Sequence, residues 1–222
     1  MEHLSFETDK PFITSANLTK NLLQEALGRQ ITLIDDKGFS SLPHQKLPTT
    51  PADSIYAQMM KISDNFLAEQ LIVMVSDQLF DSLNMSAAIK YAKDSLLNDL
   101  PDEPQWVDGS GLSPQNMFTP RSVVKLLEKI RNEVPMQKIK AYFPVGGESG
   151  TIRNWYPADP GDPAYIYAKT GTLSMSSALS GYLITKSGKT LIFSTFFNNY
   201  TGSSNVQKEE LQKVLYFIHQ NY

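Results

Sequence analysis

The feature that most restricts the fold lies between residues 164 and 198. Three runs rich in β-formers follow one another there, at 164–173, 178–185 and 190–198. The last two are joined by Lys186-Ser187-Gly188-Lys189, which reads as a hairpin turn. The three runs predict an antiparallel meander. Residues 205–220 then add an amphipathic helix, with Val206, Leu211, Val214, Leu215 and Ile218 expected to pack against the sheet.

The first run ends in Ala168-Lys169-Thr170-Gly171-Thr172-Leu173. Strand alternation sends Lys169 to one face and its neighbours Ala168 and Thr170 to the other. Gly171 removes a side chain where a ligand backbone could lie alongside the strand. Thr170 and Thr172 bracket that bare spot with two hydroxyls on one face. An ammonium and two hydroxyls at an accessible strand edge make a carboxylate-binding site, able to hold an extended peptide by β-addition. The same residues also fit an ordinary edge strand with a solvent-facing lysine.

Upstream, Thr14 or Ser15 caps a helix that runs through Leu27 and stops at Gly28. Residues 31–34 read as a short strand and 35–51, with three prolines, as loop. Asp53 or Ser54 can cap a helix over 55–62, and helices over 66–80 and 85–100 follow, the last ended by Pro101. Between the first two of these lies Ser63-Asp64-Asn65. A tight turn there can present two side chains into a cleft, and the same residues also fit a polar break whose Ser63 or Asp64 caps the next helix. Residues 106–113 form a Gly-rich loop after a short strand, in which Asp108 and Ser110 bond local amides. The loop lacks the spacing of a phosphate cradle, so it is expected to buttress a site instead of reacting. Thr119-Pro120 opens a helix to Arg131, and 141–163 is an irregular connection rich in Pro and Gly.

Composition narrows the chemistry. With 222 residues, 41% hydrophobic and net charge −3, the chain has enough apolar content for one core and no basic cluster for nucleic acid. Absence of Cys removes disulfides, thiol nucleophiles and Cys-ligated zinc. His3, His44 and His219 lie far apart without ligand spacing and read as surface residues, so neither metal nor cofactor is expected. The longest apolar run, around 71–75, is too short to span a membrane. Met1-Glu2-His3-Leu4 lacks the basic and apolar regions of a signal peptide. No Gly-x-Ser-x-Gly is present, which disfavours an α/β-hydrolase.

Ser63-Asp64-Asn65-Phe66-Leu67-Ala68-Glu69, Asp108-Gly109-Ser110-Gly111-Leu112-Ser113 and Lys169-Thr170-Gly171-Thr172-Leu173 occur in that order, followed by Ser180-Gly181-Tyr182. In combination they resemble the C-terminal part of a D-alanyl-D-alanine carboxypeptidase of the class C, low-molecular-mass penicillin-binding proteins, from about residue 10 onward. The resemblance implies an α/β fold of the α+β type, in which an antiparallel sheet packs against helices as in the serine β-lactamases and penicillin-binding proteins. It implies one domain over 1–222, with a helical lobe at about 52–140 and the sheet and last helix at about 163–222. By the same resemblance Ser63 passes a proton toward the leaving group and Asn65 holds the substrate amide. Lys169 keeps the site positive, while Thr170 and Thr172, either side of Gly171, bind the terminal carboxylate. The Thr172 N–H serves as an oxyanion donor. The implied substrate is a peptidoglycan stem peptide ending in D-Ala-D-Ala. The resemblance further implies that β-lactams bind in the complete protein and that the location is periplasmic or cell envelope.

The family pattern opens with a Ser-x-x-Lys nucleophile, and the one such tetrapeptide here is Ser122-Val123-Val124-Lys125. It follows Ser63 where the family order puts it first, and it is read as a decoy in an ordinary helix. The chain is therefore expected to lack the nucleophile segment and to be inactive alone. It is further expected to leave a sheet edge and apolar helix faces uncovered, and so to pair as a homodimer or with a missing N-terminal part. The competing reading is a non-catalytic module derived from that fold, which grips a D-Ala-ended peptide or a partner protein.

Overall fold

The computed structural model describes residues 16–34 and 50–222. The chain forms two compact units, residues 1–48 and 49–222. In the first, α1 spans Ala16–Leu27 and ends where Gly28 turns to φ 62°. The expected caps Thr14 and Ser15, the loop at 35–49, His3 and His44 lie outside the described residues. The strand expected at 31–34 does not form. Apolar β-branched residues favour a strand only when a neighbouring strand offers a ladder, and here the Ile31 N–H goes to the Gln24 side chain instead (3.2 Å).

The second unit is built on the expected meander: β1 (Ile166–Leu173), β2 (Ser176–Ile184) and β3 (Thr190–Asn198), antiparallel in that order. The register sets Ile166 against Leu183, Ala168 against Gly181 and Thr170 against Leu179. Opposed residues share a face, so these six belong to one side of the sheet. On that side Ile166, Ala168, Leu179 and Leu183 form a core with Leu211 and Leu215 of α7 (Asn205–Asn221). On the other side Tyr167 and Tyr182 pack with Leu127 of α5 (Pro120–Glu133) and with Ile139 and Phe143 in and after α6 (Met136–Tyr142). The Tyr182 hydroxyl donates to the Leu127 carbonyl (2.8 Å), so this aromatic is satisfied inside the core.

The terminal helix forms as expected, but its buried seam differs. Leu211, Leu215 and His219, four apart, are buried, whereas Val206 and Val214 are 65% and 54% exposed. At 3.6 residues per turn Val206 sits about 140° round the helix from Leu211, which takes it off the sheet. His219 is no surface residue: its Nδ1 lies 2.7 Å from the Ile184 carbonyl and its ring stacks on Tyr165 at 4.3 Å.

The lobe is helical, with α2 (Ala52–Ile62), α3 (Asn65–Phe80) and α4 (Met85–Tyr91) ahead of α5 and α6. Neither Asp53 nor Ser54 caps α2. The helix starts earlier, after Pro51, and Asp53 instead takes Lys138 and the Tyr142 hydroxyl (3.0 and 2.7 Å). The helix expected over 85–100 stops short, widening at Ala92–Leu96 into a π turn closed by Leu97 N–H to Ala92 O (2.9 Å). Asn98 and Asp99 are weak helix formers, and Asp99 is drawn to Lys129 across the lobe (2.6 Å). Helix α6 falls where no helix is expected. Thr119 caps α5 as expected, its Oγ1 accepting from the Ser122 N–H (3.3 Å).

The seam on α7 makes a testable contrast. Leu215→Ala should destabilise the fold by about 2–5 kcal/mol, the usual cost of a buried leucine, while Val214→Ala stays within about 0.5 kcal/mol. Urea denaturation of the two variants measures the difference, and equal losses would show that the seam is misplaced.

Candidate active site

The Ser63 turn is made by two helix ends. Ser63 leaves α2 in the left-handed region (φ 58°, ψ 53°), and the Asp64 N–H returns to the Met59 carbonyl (3.1 Å) in a Schellman-type stop. Asp64 then caps α3, its Oδ1 accepting from the Leu67 N–H (3.0 Å). The capping reading of the tripeptide holds for Asp64, which leaves the side chains of Ser63 and Asn65 out of the cap. A non-glycine residue at positive φ costs on the order of 1 kcal/mol or more, which the fold tolerates here in order to place a hydroxyl where glycine would be easier. Asn65 is the first residue of α3, and its exposed side chain has no hydrogen-bond partner among the described residues.

Lys169 comes to this turn from the sheet. Its ammonium donates to Ser63 Oγ (2.7 Å) and to the Thr170 carbonyl (2.8 Å). The strand register explains why: Lys169 opposes Ser180, next along the face that holds Tyr167 and Tyr182 and looks toward the lobe. Burial pushes its pKa down from the ordinary lysine range to about 8.

Thr170 and Thr172 fall on the opposite face, as alternation requires. Thr170 Oγ1 lies 2.8 Å from Thr151 Oγ1, so one hydroxyl donates to the other and the pair keeps one O–H to offer outward. Thr151 gave no sequence signal, because its partner is nineteen positions away in an irregular connection. Thr172 is exposed.

The edge of β1 is half covered. The Ala168 N–H donates to the Pro144 carbonyl (3.0 Å) and the Gly146 N–H to the Ile166 carbonyl (2.9 Å). The same alternation turns the N–H groups of Thr170 and Thr172 to that edge, where no described residue pairs with them. Gly171 sits in this open stretch. A Cβ built there would meet only Ala178 Cβ, at an ordinary 3.6 Å, so nothing among the described residues demands glycine.

The Gly-rich loop buttresses the turn. Glu69, one helical turn beyond Asn65, accepts from the N–H groups of Gly109 and Ser110 (3.1 and 2.9 Å). Asp108 accepts from the N–H groups of Gly111 and Ser113 (2.6 and 2.7 Å). At Gly109 glycine is compulsory, since a Cβ would stand 2.7 Å from the Ala68 carbonyl. Ser122 is elsewhere and inert: it is 1% exposed, its hydroxyl donates to the Asp102 carbonyl (2.9 Å), and Lys125 pairs with Glu128 (2.8 Å). Among the described residues there is no cluster of His, Cys, Asp or Glu able to hold a metal.

The Lys169 environment predicts a titration. Its folded pKa of about 8 lies below the ordinary value of 10.5, so the unfolded chain holds that proton more tightly. Below pH 8 both states carry it and the burial cost is complete; between about pH 8 and 10.5 the folded state sheds it first. Stability relative to Lys169→Met should therefore rise across that window, and NMR of the labelled lysine should give a midpoint near 8. A midpoint shared with the surface lysines would show that the ammonium is solvated.

Known proteins resemble this chain in sequence and in fold. Residues 10–220 match the family model described as D-Ala-D-Ala carboxypeptidase 3 (S13) family. The chain is 30% identical over 203 residues to the D-alanyl-D-alanine carboxypeptidase of Actinomadura sp. (strain R39), covering 84% of this chain and 37% of that protein. It thus spans roughly a third of the length of the curated relatives it matches, the other shares being 36% and 32% for the next two. Among solved structures, penicillin binding protein 4 from Haemophilus influenzae, complexed with a novel β-lactam, superposes with TM-score 0.70 at 23% identity, over 92% of this chain and 51% of that one. A representative class A β-lactamase from Bacteroides cellulosilyticus DSM 14838 shares the fold at TM-score 0.55 and 17% identity, over 75% of this chain and 62% of its own. Two motifs 106 positions apart meet at one hydrogen bond, on a penicillin-binding-protein fold and within a family match that spans nearly the whole sequence; the chain belongs to the D-Ala-D-Ala carboxypeptidase 3 (S13) family.

Proposed function

We propose that this chain supplies the second and third motifs of a serine-type D-Ala-D-Ala carboxypeptidase of peptidoglycan, acting in the cell envelope on a stem peptide that ends in D-Ala-D-Ala. The observation that carries the reading is the 2.7 Å bond from the Lys169 ammonium to Ser63 Oγ. Because Ser63 accepts from Lys169, its own O–H is free to point away, toward a leaving group. When the scissile C–N bond breaks, the departing D-Ala amine takes the Ser63 proton and Lys169 replaces it. A lysine poised near pH 8 suits that transfer, since general acid–base catalysis works best with a pKa close to the working pH.

The open edge of β1 receives the peptide. Its backbone lies along Thr170 to Thr172, and the missing side chain of Gly171 leaves room for it, which accounts for a glycine the fold itself does not need. The terminal carboxylate takes the free O–H of the Thr170–Thr151 pair and the Thr172 hydroxyl. The Thr172 N–H, at the open edge, faces the developing oxyanion, a contribution of roughly 3–4 kcal/mol in acyl transfer generally. Asn65, with no competing partner among the described residues, holds the substrate amide. The serine that becomes acylated, by stem peptide or by β-lactam, belongs to a segment other than Ser122-Val123-Val124-Lys125, whose hydroxyl is buried and committed to Asp102.

Two measurements test this together. Exposed to penicillin by itself, the present chain should form no covalent adduct by mass spectrometry. In the longest gene product that contains it, Lys169→Ala should slow acylation by fluorescent penicillin by about 100-fold or more, while Lys125→Ala changes it little. An adduct on Ser122, or equal losses from the two lysines, would overturn the assignment.

A further inference from the structure

The helical lobe carries a cleft that the Ser63–Lys169 pair does not line. This open cleft has a volume of about 430 Å³, within the roughly 300–1,000 Å³ range of small-ligand clefts. One wall is a single helix face, on which Ile89, Lys90, Lys93 and Asp94 follow one another from α4 into the π turn. Glu103 and Trp106 form the other wall.

The charges in this cleft cancel. Lys90 pairs with Asp94 along the helix (2.6 Å), and Lys93 reaches across to Glu103 (2.9 Å). An anion would have to displace a carboxylate already in place, and a cation would have to displace an ammonium. A neutral hydroxyl has no such conflict, because it can donate to the carboxylate and accept from the ammonium of one pair. Trp106 and the exposed Val107 add apolar surface beside the polar groups, suited to the C–H faces of sugar rings. We infer that this cleft binds a neutral, hydroxyl-rich saccharide.

The cleft is also fixed relative to the candidate active site. The Trp106 indole N–H donates to the Asp108 carbonyl (2.6 Å), and the next two residues donate to Glu69 on α3. Glu69 lies one helical turn beyond Asn65. A saccharide resting on Trp106 is thereby held in a set relation to the Ser63 turn. The assignment of that saccharide to the glycan of peptidoglycan rests on the function proposed above; the binding itself does not.

The test uses the whole chain with Trp155→Phe, which leaves Trp106 as the one tryptophan. Titration with the N-acetylglucosamine trimer, a neutral saccharide, should change Trp106 emission saturably. Glu103→Leu should weaken that binding at least about fivefold, the loss of a hydrogen-bonding partner, and should strengthen binding of citrate by leaving Lys93 unpaired. Glu103 is 83% exposed, so this variant folds as the parent does, and a thermal melt checks that it has. Lys169→Ala should leave the titration unchanged, which separates this site from the catalytic reading. A trimer of glucose that binds equally well would support a general saccharide site, and preference for the N-acetylated trimer would support a peptidoglycan-type glycan. Absence of a saturable response, indifference to Glu103→Leu, or tighter binding of citrate than of either trimer to the parent chain would overturn the inference.

Discussion

A lysine ammonium largely withdrawn from water and, among the described residues, left without a carboxylate is the constraint on which the rest of the site depends. Among the described residues Lys169 has only a hydroxyl and a carbonyl for partners, Ser63 Oγ and Thr170 O. Two neutral acceptors do not repay the loss of hydration, and the pKa falls to about 8. The arrangement persists because the sheet and lobe are fixed by other means. Tyr167 and Tyr182, on the same face, lock into the core with Leu127, Ile139 and Phe143, and carry Lys169 with them. The unbalanced positive charge is what a negatively charged peptide terminus or an oxyanion would meet.

The Ser63 turn shows the same economy from the lobe side. A left-handed serine is unfavourable, and it survives because a Schellman-type stop on α2 and the Asp64 cap of α3 determine the backbone on both sides. The Glu69 carboxylate and the close approach of Gly109 to Ala68 then bolt the first turn of α3 to the Gly-rich loop. Site residues with unfilled hydrogen-bonding capacity stand on elements whose own hydrogen bonds are filled. That division keeps the strain local.

Much of this was legible in the sequence wherever the signal was local. The strands of the meander, the hairpin, the Thr119 cap and the alternation that separates Lys169 from Thr170 follow from neighbouring residues, and each appears in the structure. Several of the misreadings share one cause, which is that a distant partner decides. Residues 31–34 have strand composition but no ladder, Asp53 prefers Lys138 and Tyr142 to a cap, and His219 is buried because Tyr165 and the Ile184 carbonyl wait for it. Thr151 belongs to the same class, since only the folded chain brings it to Thr170. The meeting of Ser63 with Lys169 follows from no property of either residue alone, and only the folded chain brings the two together.

The central claim is that the Ser63 turn and the open edge of β1 form one site for a peptide ending in D-Ala-D-Ala. Its most direct test is an amide and lysine NMR titration of this chain with diacetyl-L-Lys-D-Ala-D-Ala. The account predicts saturable shifts at Ser63, Asn65 and Thr170 to Thr172, together with a shift of the Lys169 ammonium signal, and predicts that Lys169→Met removes them. Shifts confined to other surfaces, or a response that survives in Lys169→Met, would contradict it.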